Sequence, residues 1–240
     1  MDAARAALGD SSPLVRRGAI ATLAMLPPPQ RLELLAPLLG DPVRTVRLDA
    51  AERLADAVAA GTAEQRAAFD RAAAEFEAVQ RYNADRPEAR AAIGNFRARQ
   101  GRLAEAQAEL ESALALDPAF VPAYVNLADL YRVQGRDDEA ERVLRDGLRL
   151  AGDHASLRHA LGLTLVRKQQ LPAAVEQFAA ATRLAPDDVR FAYVYAVALH
   201  SAGRTGPALR ELDRALARRP DDRDLLMAAT TYGGAATGEK

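Results

Sequence analysis

The chain has no cysteine, no tryptophan and only three histidines in 240 residues. Without cysteine, disulfides, thiolate metal sites, cysteine nucleophiles and attached c-type haem are excluded within it. His154, His159 and His200 form no metal-spaced pair such as H-x-x-x-H. Lysine is nearly absent. Of 32 basic residues only Lys168 and Lys240 are lysine, and the remaining 30 are arginine. The arginines are scattered and matched by 33 acidic residues, giving a formal net charge of -1. Such a balance exerts no bulk pull on nucleic acid or anionic membrane. No apolar run approaches the ~20 residues needed to cross a bilayer. Met1–Arg5 lacks the basic stretch followed by a long apolar run that marks a secretory signal. Nucleophile-elbow, phosphate-cradling and dinucleotide-binding motifs are missing as well. The paired acids Asp137-Asp138, Asp187-Asp188 and Asp221-Asp222 recur at helix starts, where they compensate the helix dipole. The expectation is a chain with no catalysis, no cofactor and no metal. It takes no small-molecule substrate, binds no nucleic acid and does not insert into membranes.

What the chain does have is a period. Alanines 72, 106, 140, 174 and 208 are 34 residues apart, and four positions after each sits Phe76, Leu110, Leu144, Phe178 or Leu212. A period of this length belongs to stacked helical hairpins. Counting from Pro87, Val121, Ala155 and Val189, the eighth position is always small: Gly94, Ala128, Gly162 and Ala196. Facing alanines at 106, 140, 174 and 208 then let the two helices of a hairpin cross closely. Gly101, Gly135 and Gly203 fall just past each first helix, where glycine adopts a left-handed backbone at low cost; Gln169 breaks the series. Pro118, Pro186 and Pro220 stop the second helices, and Gly152 replaces proline in one unit.

These residues resemble the tetratricopeptide repeat (TPR) family over 87–220. The resemblance implies two antiparallel helices per unit and a right-handed superhelix with an inner ligand groove. A shorter repeat precedes it. Residues 8–23 align without a gap on 39–54, matching Leu8 with Leu39, Asp10 with Asp41, Val15 with Val46, Arg16 with Arg47, Ala19 with Ala50 and Leu23 with Leu54. Ser12-Pro13 and Asp41-Pro42 are expected to cap and open helices. This part resembles HEAT repeats. The fold expected is all-α: an α-solenoid of stacked antiparallel hairpins, HEAT-like and then TPR. HEAT-like repeats occupy 1–60, and a transition helix or degenerate TPR spans 61–86. Four TPR units follow at 87–220, then a capping helix at 221–232 and a disordered tail at 233–240. The opening stub Asp2–Leu8 is too short for a normal hairpin, which suggests a chain continuing upstream of Met1 or a worn cap.

In TPR proteins the second, fifth, sixth, ninth, twelfth and thirteenth positions of each first helix line the groove. Carried over, these include Asn95, Arg99, Asn126, Asp129, Arg132, His159, Arg167, Tyr193 and His200. Asn95 and Asn126 also match the asparagines of the carboxylate-clamp members that hold chaperone tails. Ala91, Ser156 and Ala160 stand where that clamp needs cations, so chaperone-tail binding is not expected. Tyr124 and Tyr131 are expected to pack within their hairpin, and His154 to be solvated in a turn. The implied function is a protein-interaction scaffold holding a peptide or partner protein in the groove. One alternative is a structural accessory subunit of an enzyme complex. Another follows from residues 8–212, where Tyr82–Ala89, Phe120–Tyr131 and Tyr195–Gly203 resemble the carboxy-terminal part of exported bacterial multihaem cytochrome c proteins. That parentage implies a docking arm in the periplasm; otherwise the expected compartment is the cytoplasm.

Overall fold

The computed structural model describes residues 1–238. Among them every regular element is helical and there is no strand. The helices are α1 (Asp2–Ala6), α2 (Pro13–Leu23), α3 (Pro28–Leu35), α4 (Arg44–Leu54), α5 (Ala63–Tyr82), α6 (Pro87–Arg99) and α7 (Leu103–Leu116), then α8 (Val121–Val133), α9 (Asp137–Leu150), α10 (Ala155–Arg167), α11 (Leu171–Leu184), α12 (Val189–Ser201), α13 (Thr205–Leu216) and α14 (Arg223–Gly238). Short 3-10 turns follow α1, α3 and α4. The helices form two compact units, Met1–Leu116 and Asp117–Lys240.

In the first unit α2, α3, α4 and α5 share one core of Ile20, Leu23, Leu35, Val46, Leu54, Phe69, Ala72 and Phe76. Phe96 of α6 joins it, its ring 4.5 Å from Phe76 and 6.0 Å from Phe69. The hairpin α6–α7 therefore clusters with the HEAT-like helices, and the division between units falls inside the TPR register. Helix α5 starts from a capping box. The Thr62 hydroxyl accepts the Gln65 N–H at 3.2 Å, and the Gln65 side chain accepts the Thr62 N–H at 2.8 Å.

The expected Ser12 and Asp41 caps take a different form. Ser12 makes no side-chain cap bond, and α4 opens at Arg44 rather than at Pro42. Asp10 and Asp41 instead close turns two residues ahead, accepting the N–H of Ser12 at 2.7 Å and of Val43 at 2.8 Å. The Asp41 carboxylate is drawn away by Arg16, which binds both its oxygens at 2.8 and 2.9 Å. Arg16 also donates to the carbonyls of Asp10 and Ser11. One repeat on, Arg47 does the same: it donates to the carbonyls of Asp41 and Pro42 and forks onto Glu75 at 3.2 and 2.6 Å. Each repeat's arginine thus ties down its own loop and grips an acid of the next element. Burial disfavours the Asp41 carboxylate, but the Arg16 hydrogen bond, the Val43 N–H and the charges of Arg16 and Arg47 outweigh it. The carboxyl is held below its ordinary range.

In the second unit the hairpins α8–α9, α10–α11 and α12–α13 stack, and α14 packs on α13 and α12. Ala140, Ala174 and Ala208 are fully buried. Gly162 lies under Phe178 so closely that a Cβ there would sit 2.5 Å from the ring. Left-handed glycines end the first helices as expected, at φ 77° for Gly101, 72° for Gly135 and 74° for Gly203. Gln169 adopts the same turn at φ 59°. In all four turns the next N–H bonds back to the carbonyl five residues earlier: Arg102 to Arg97, Arg136 to Tyr131, Gln170 to Leu165 and Arg204 to Leu199. Tertiary packing therefore imposes the turn on a residue that disfavours it. The last helix continues past Tyr232 to Gly238, where an irregular tail was expected; residues 239–240 lie outside the described residues. Buried Leu225 and Ala228 anchor this helix, and its continuation through Gly233 and Gly234 runs against the weak helix preference of glycine.

Three outcomes follow for stability in chemical denaturation. Gly162→Ala overpacks α10 against α11 and destabilises by about 1–3 kcal/mol. Gln169→Gly removes the left-handed penalty and stabilises by about 0.5–1 kcal/mol after the extra freedom of the unfolded glycine is counted. Asp41→Asn leaves Arg16 buried and half-paired, at a cost of roughly 3 kcal/mol. Because folding lowers the Asp41 pKa, its contribution is complete above the ordinary carboxylate range and is lost as pH falls through the depressed folded value. The wild type should therefore lose more stability on the acid side than the Asn variant, which keeps only the loss owed to other paired acids such as Glu77.

Candidate functional site

Three first helices of the second unit present one face each to a groove of about 320 Å³. From α8 come Val125, Asp129 and Arg132; from α10, Ser156, His159, Ala160 and Leu163; from α12, Arg190, Phe191 and Val194. The spacings of three and four put each set on one side of its helix. The opposite sides, carrying Leu127, Ala128, Leu161, Gly162 and Ala196, are turned into the hairpins and buried. An adjoining open depression shares Asp129 and Arg132 and adds Val133 and Arg167.

Val125, Ala160, Leu163, Phe191 and Val194 make an apolar floor, and Asp129, Arg132, Ser156, His159 and Arg190 supply the polar groups. Arg132 pairs with Asp129 one turn away. The surrounding groove walls raise the Asp129 carboxyl above its ordinary range by desolvation, against the downward pull of Arg132, although about half of its side chain stays exposed to water and softens the shift. The His159 ring lies 4.8 Å from Phe191 and 5.6 Å from Phe178. Burial lowers its pKa, with Asp188 opposing and the Arg132 and Arg190 charges reinforcing the shift, so the imidazole is neutral at pH 7. Arg132 Nε and His159 Nδ1 are both buried without a hydrogen-bond partner. Buried polar atoms of this kind are exceptions in folded chains, and two meet in one groove here. Arg190 forks onto Asp188 at 2.7 and 3.0 Å, and Arg167 binds Asp137 at 2.8 Å.

The expected site residues divide accordingly. Asp129, Arg132, His159 and Arg167 come together. Asn126 is half-buried on α8 beside Val125. Tyr193 lines a smaller cavity of about 100 Å³ with Val189, Arg190, Val194 and, from the end helix and its approach, Asp222, Asp224 and Leu225. His200 is engaged with its surroundings: its Nδ1 lies 3.0 Å from the Thr205 hydroxyl, and its ring stacks on Tyr232 at 3.9 Å. Asn95 and Arg99 belong to the first unit. Asn95 is exposed, whereas Arg99 is tied to Asp56 at 3.1 Å and to the Arg53 carbonyl at 3.4 Å. Tyr124 and Tyr131 are buried as expected, the Tyr124 hydroxyl donating to the Pro118 carbonyl at 2.8 Å. His154 caps α10, accepting the Ser156 N–H at 3.3 Å. Val125, Leu163 and Val194 line the groove from the fifth, ninth and sixth repeat positions, which the expected residues also occupy, and Arg190 and Ser156 line it from the second. Choosing polar and aromatic residues there removed the apolar floor. Among the described residues no three His, Asp or Glu side chains gather as a metal site, and no helix is long and apolar enough to cross a membrane.

Tetratricopeptide repeat family models match residues 97–163 and 159–223, and a HEAT repeat model matches 1–55. The chain is a tetratricopeptide repeat protein. Its TPR matches together span more than half of it, and HEAT repeats precede them. No curated protein matches the chain. Among solved structures, TTC0263 of Thermus thermophilus, a thermophilic TPR protein, aligns at a TM-score of 0.57 and 23% identity, covering 77% of this chain and 98% of its own. YrrB, described as a TPR protein with an unusual peptide-binding site, aligns at 0.53 and 21%, covering 69% and 85%. MamA of Desulfovibrio magneticus RS-1 aligns at 0.52 and 16%, covering 77% and 99%. Likeness at these identities concerns the TPR fold alone. None of these matches is a multihaem cytochrome.

Proposed function

We propose that this TPR protein is a non-catalytic scaffold and that an extended segment of a partner protein lies across α8, α10 and α12. The observation that carries the reading is the pairing of an apolar floor with two buried, unpartnered nitrogens, Arg132 Nε and His159 Nδ1. An extended peptide supplies what such a surface lacks. Its side chains cover Leu163, Phe191 and Val194, and its carbonyls accept hydrogen bonds along the way. YrrB, with the same fold and a peptide-binding site, makes the reading consistent with a relative of known structure. Catalysis has no support in the groove's chemistry. His159 Nδ1 makes no hydrogen bond to the Ser156 hydroxyl one turn away, so no base and nucleophile are paired, and Asp129 is engaged with Arg132.

The test is a double variant, Arg132→Gln with Leu163→Glu, which alters the groove and leaves the buried hairpin contacts intact. Peptide arrays and fluorescence anisotropy should show at least a tenfold loss of affinity for peptides that bind the wild type, with unchanged helical circular dichroism. Equal affinity in both proteins would place the binding surface elsewhere.

A further inference from the structure

Among the described residues Asp129 is the only carboxylate lining the groove and its adjoining depression, against Arg132, Arg167 and Arg190. The acids that hold the other two arginines, Asp137 and Asp188, are outside that lining. Asp129 meets Arg132 through Nη2 alone, while the neighbouring Nε on the same edge of the guanidinium is buried and unpartnered. A carboxylate that spans Nε and Nη2 makes two parallel charge-assisted bonds, which is the stronger arrangement. Arg132 is therefore held by an acid that uses half of its fork.

Accepting the groove as the peptide site, we propose that it selects an acidic segment, whose carboxylate displaces Asp129 from Arg132 while a neighbouring aliphatic side chain rests on Leu163, Phe191 and Val194. Asp129 is then a built-in competitor that keeps the arginine paired until the ligand arrives. The exchange brings a second carboxylate to one guanidinium, and Asp129, losing its cation, takes up a proton as it is displaced. Its carboxyl is already biased toward the protonated form by burial. Ligand binding and proton uptake are thus linked, and affinity for an acidic ligand rises as pH falls. The other charged groups around the pair are Arg167 and His159 on α10, Arg190 with Asp188 on α12, and Asp137 on α9. Burial shifts His159 toward the neutral form, so the Asp129→Asn variant is what separates the contribution of Asp129 to the pH dependence from that of His159.

Three libraries of end-blocked peptides test this, carrying leucine two residues from glutamate, glutamine or lysine. With the wild type, the glutamate library should bind at least tenfold tighter than the glutamine library, and more tightly at pH 5.5 than at pH 7.5. Asp129→Asn should strengthen glutamate binding at pH 7.5 about threefold or more and flatten the pH dependence. Arg132→Gln should abolish the preference for glutamate over glutamine. Asp129→Asn that leaves glutamate binding unchanged or weaker overturns the proposal, as does equal binding of glutamate and glutamine by the wild type. If glutamine or lysine peptides bind and are lost with Leu163→Glu, the groove is still the peptide site and only the acidic preference fails. Binding from none of the libraries removes both readings.

Discussion

Each hairpin of this protein depends on two helices approaching closely enough for a large side chain to lie over a residue without bulk. The margin is small. A Cβ at Gly94 would sit 2.9 Å from Leu110 Cγ, and one at Gly147 would sit 2.9 Å from the Tyr124 ring. That approach fixes the roll of each first helix about its axis. With Leu127 and Ala128 turned inward, Val125, Asp129 and Arg132 have only the opposite face left. With Leu161, Gly162 and Leu165 turned inward, the same holds for Ser156, His159 and Leu163. The groove is therefore set by the hairpin packing beneath it, and its lining is free to vary without disturbing the crossing.

Arginine supplies the directional bonds that alanine- and leucine-rich packing lacks. Arg16 and Arg47 each join a loop to the next element. At the start of the TPR register, Arg97 is buried and forks onto Glu77 at 3.2 and 2.7 Å while also reaching Glu109 at 3.0 Å. Arg81 and Arg102 share Glu77 as well. The Arg97 hydrogen bond, foremost, holds the Glu77 carboxyl below its ordinary range despite its burial. A planar fork with five donors can grip one carboxylate through two nitrogens and satisfy carbonyls with the rest, whereas the single nitrogen of a lysine cannot make the two-point grip. The excess of arginine over lysine thus has a structural use here, distinct from ligand recognition.

The fold was legible because its cause is periodic. Small residues at the eighth and twentieth positions, glycines after first helices and prolines after second ones each act through sterics that depend on local spacing. Three features were illegible for the opposite reason. Gln169 takes a glycine's conformation because its neighbours close the turn. Asp41 leaves the helix end because Arg16, 25 residues away in sequence, captures it. The boundary after Leu116 depends on Phe96 joining Phe69 and Phe76 across the repeat junction. The candidate groove was half legible: repeat position named the first-helix face that lines it, but choosing polar and aromatic members alone hid the apolar floor that gives the groove its shape.

A groove whose charges are already paired suits exchange better than permanent assembly. Half-exposed ion pairs contribute about 0–1 kcal/mol, so replacing Asp129 on Arg132 costs little and returns little beyond the second hydrogen bond at Nε. The larger share of any affinity must come from side chains laid on Leu163, Phe191 and Val194, at about 25 cal/mol for each Å² of apolar surface removed from water. Polar groups of this kind discriminate mainly by penalising the wrong ligand, since a buried donor left unmatched costs about 1–3 kcal/mol. On the proposed reading, the apolar floor sets how tightly a segment is held, and Asp129, Arg132 and His159 set which segment it is.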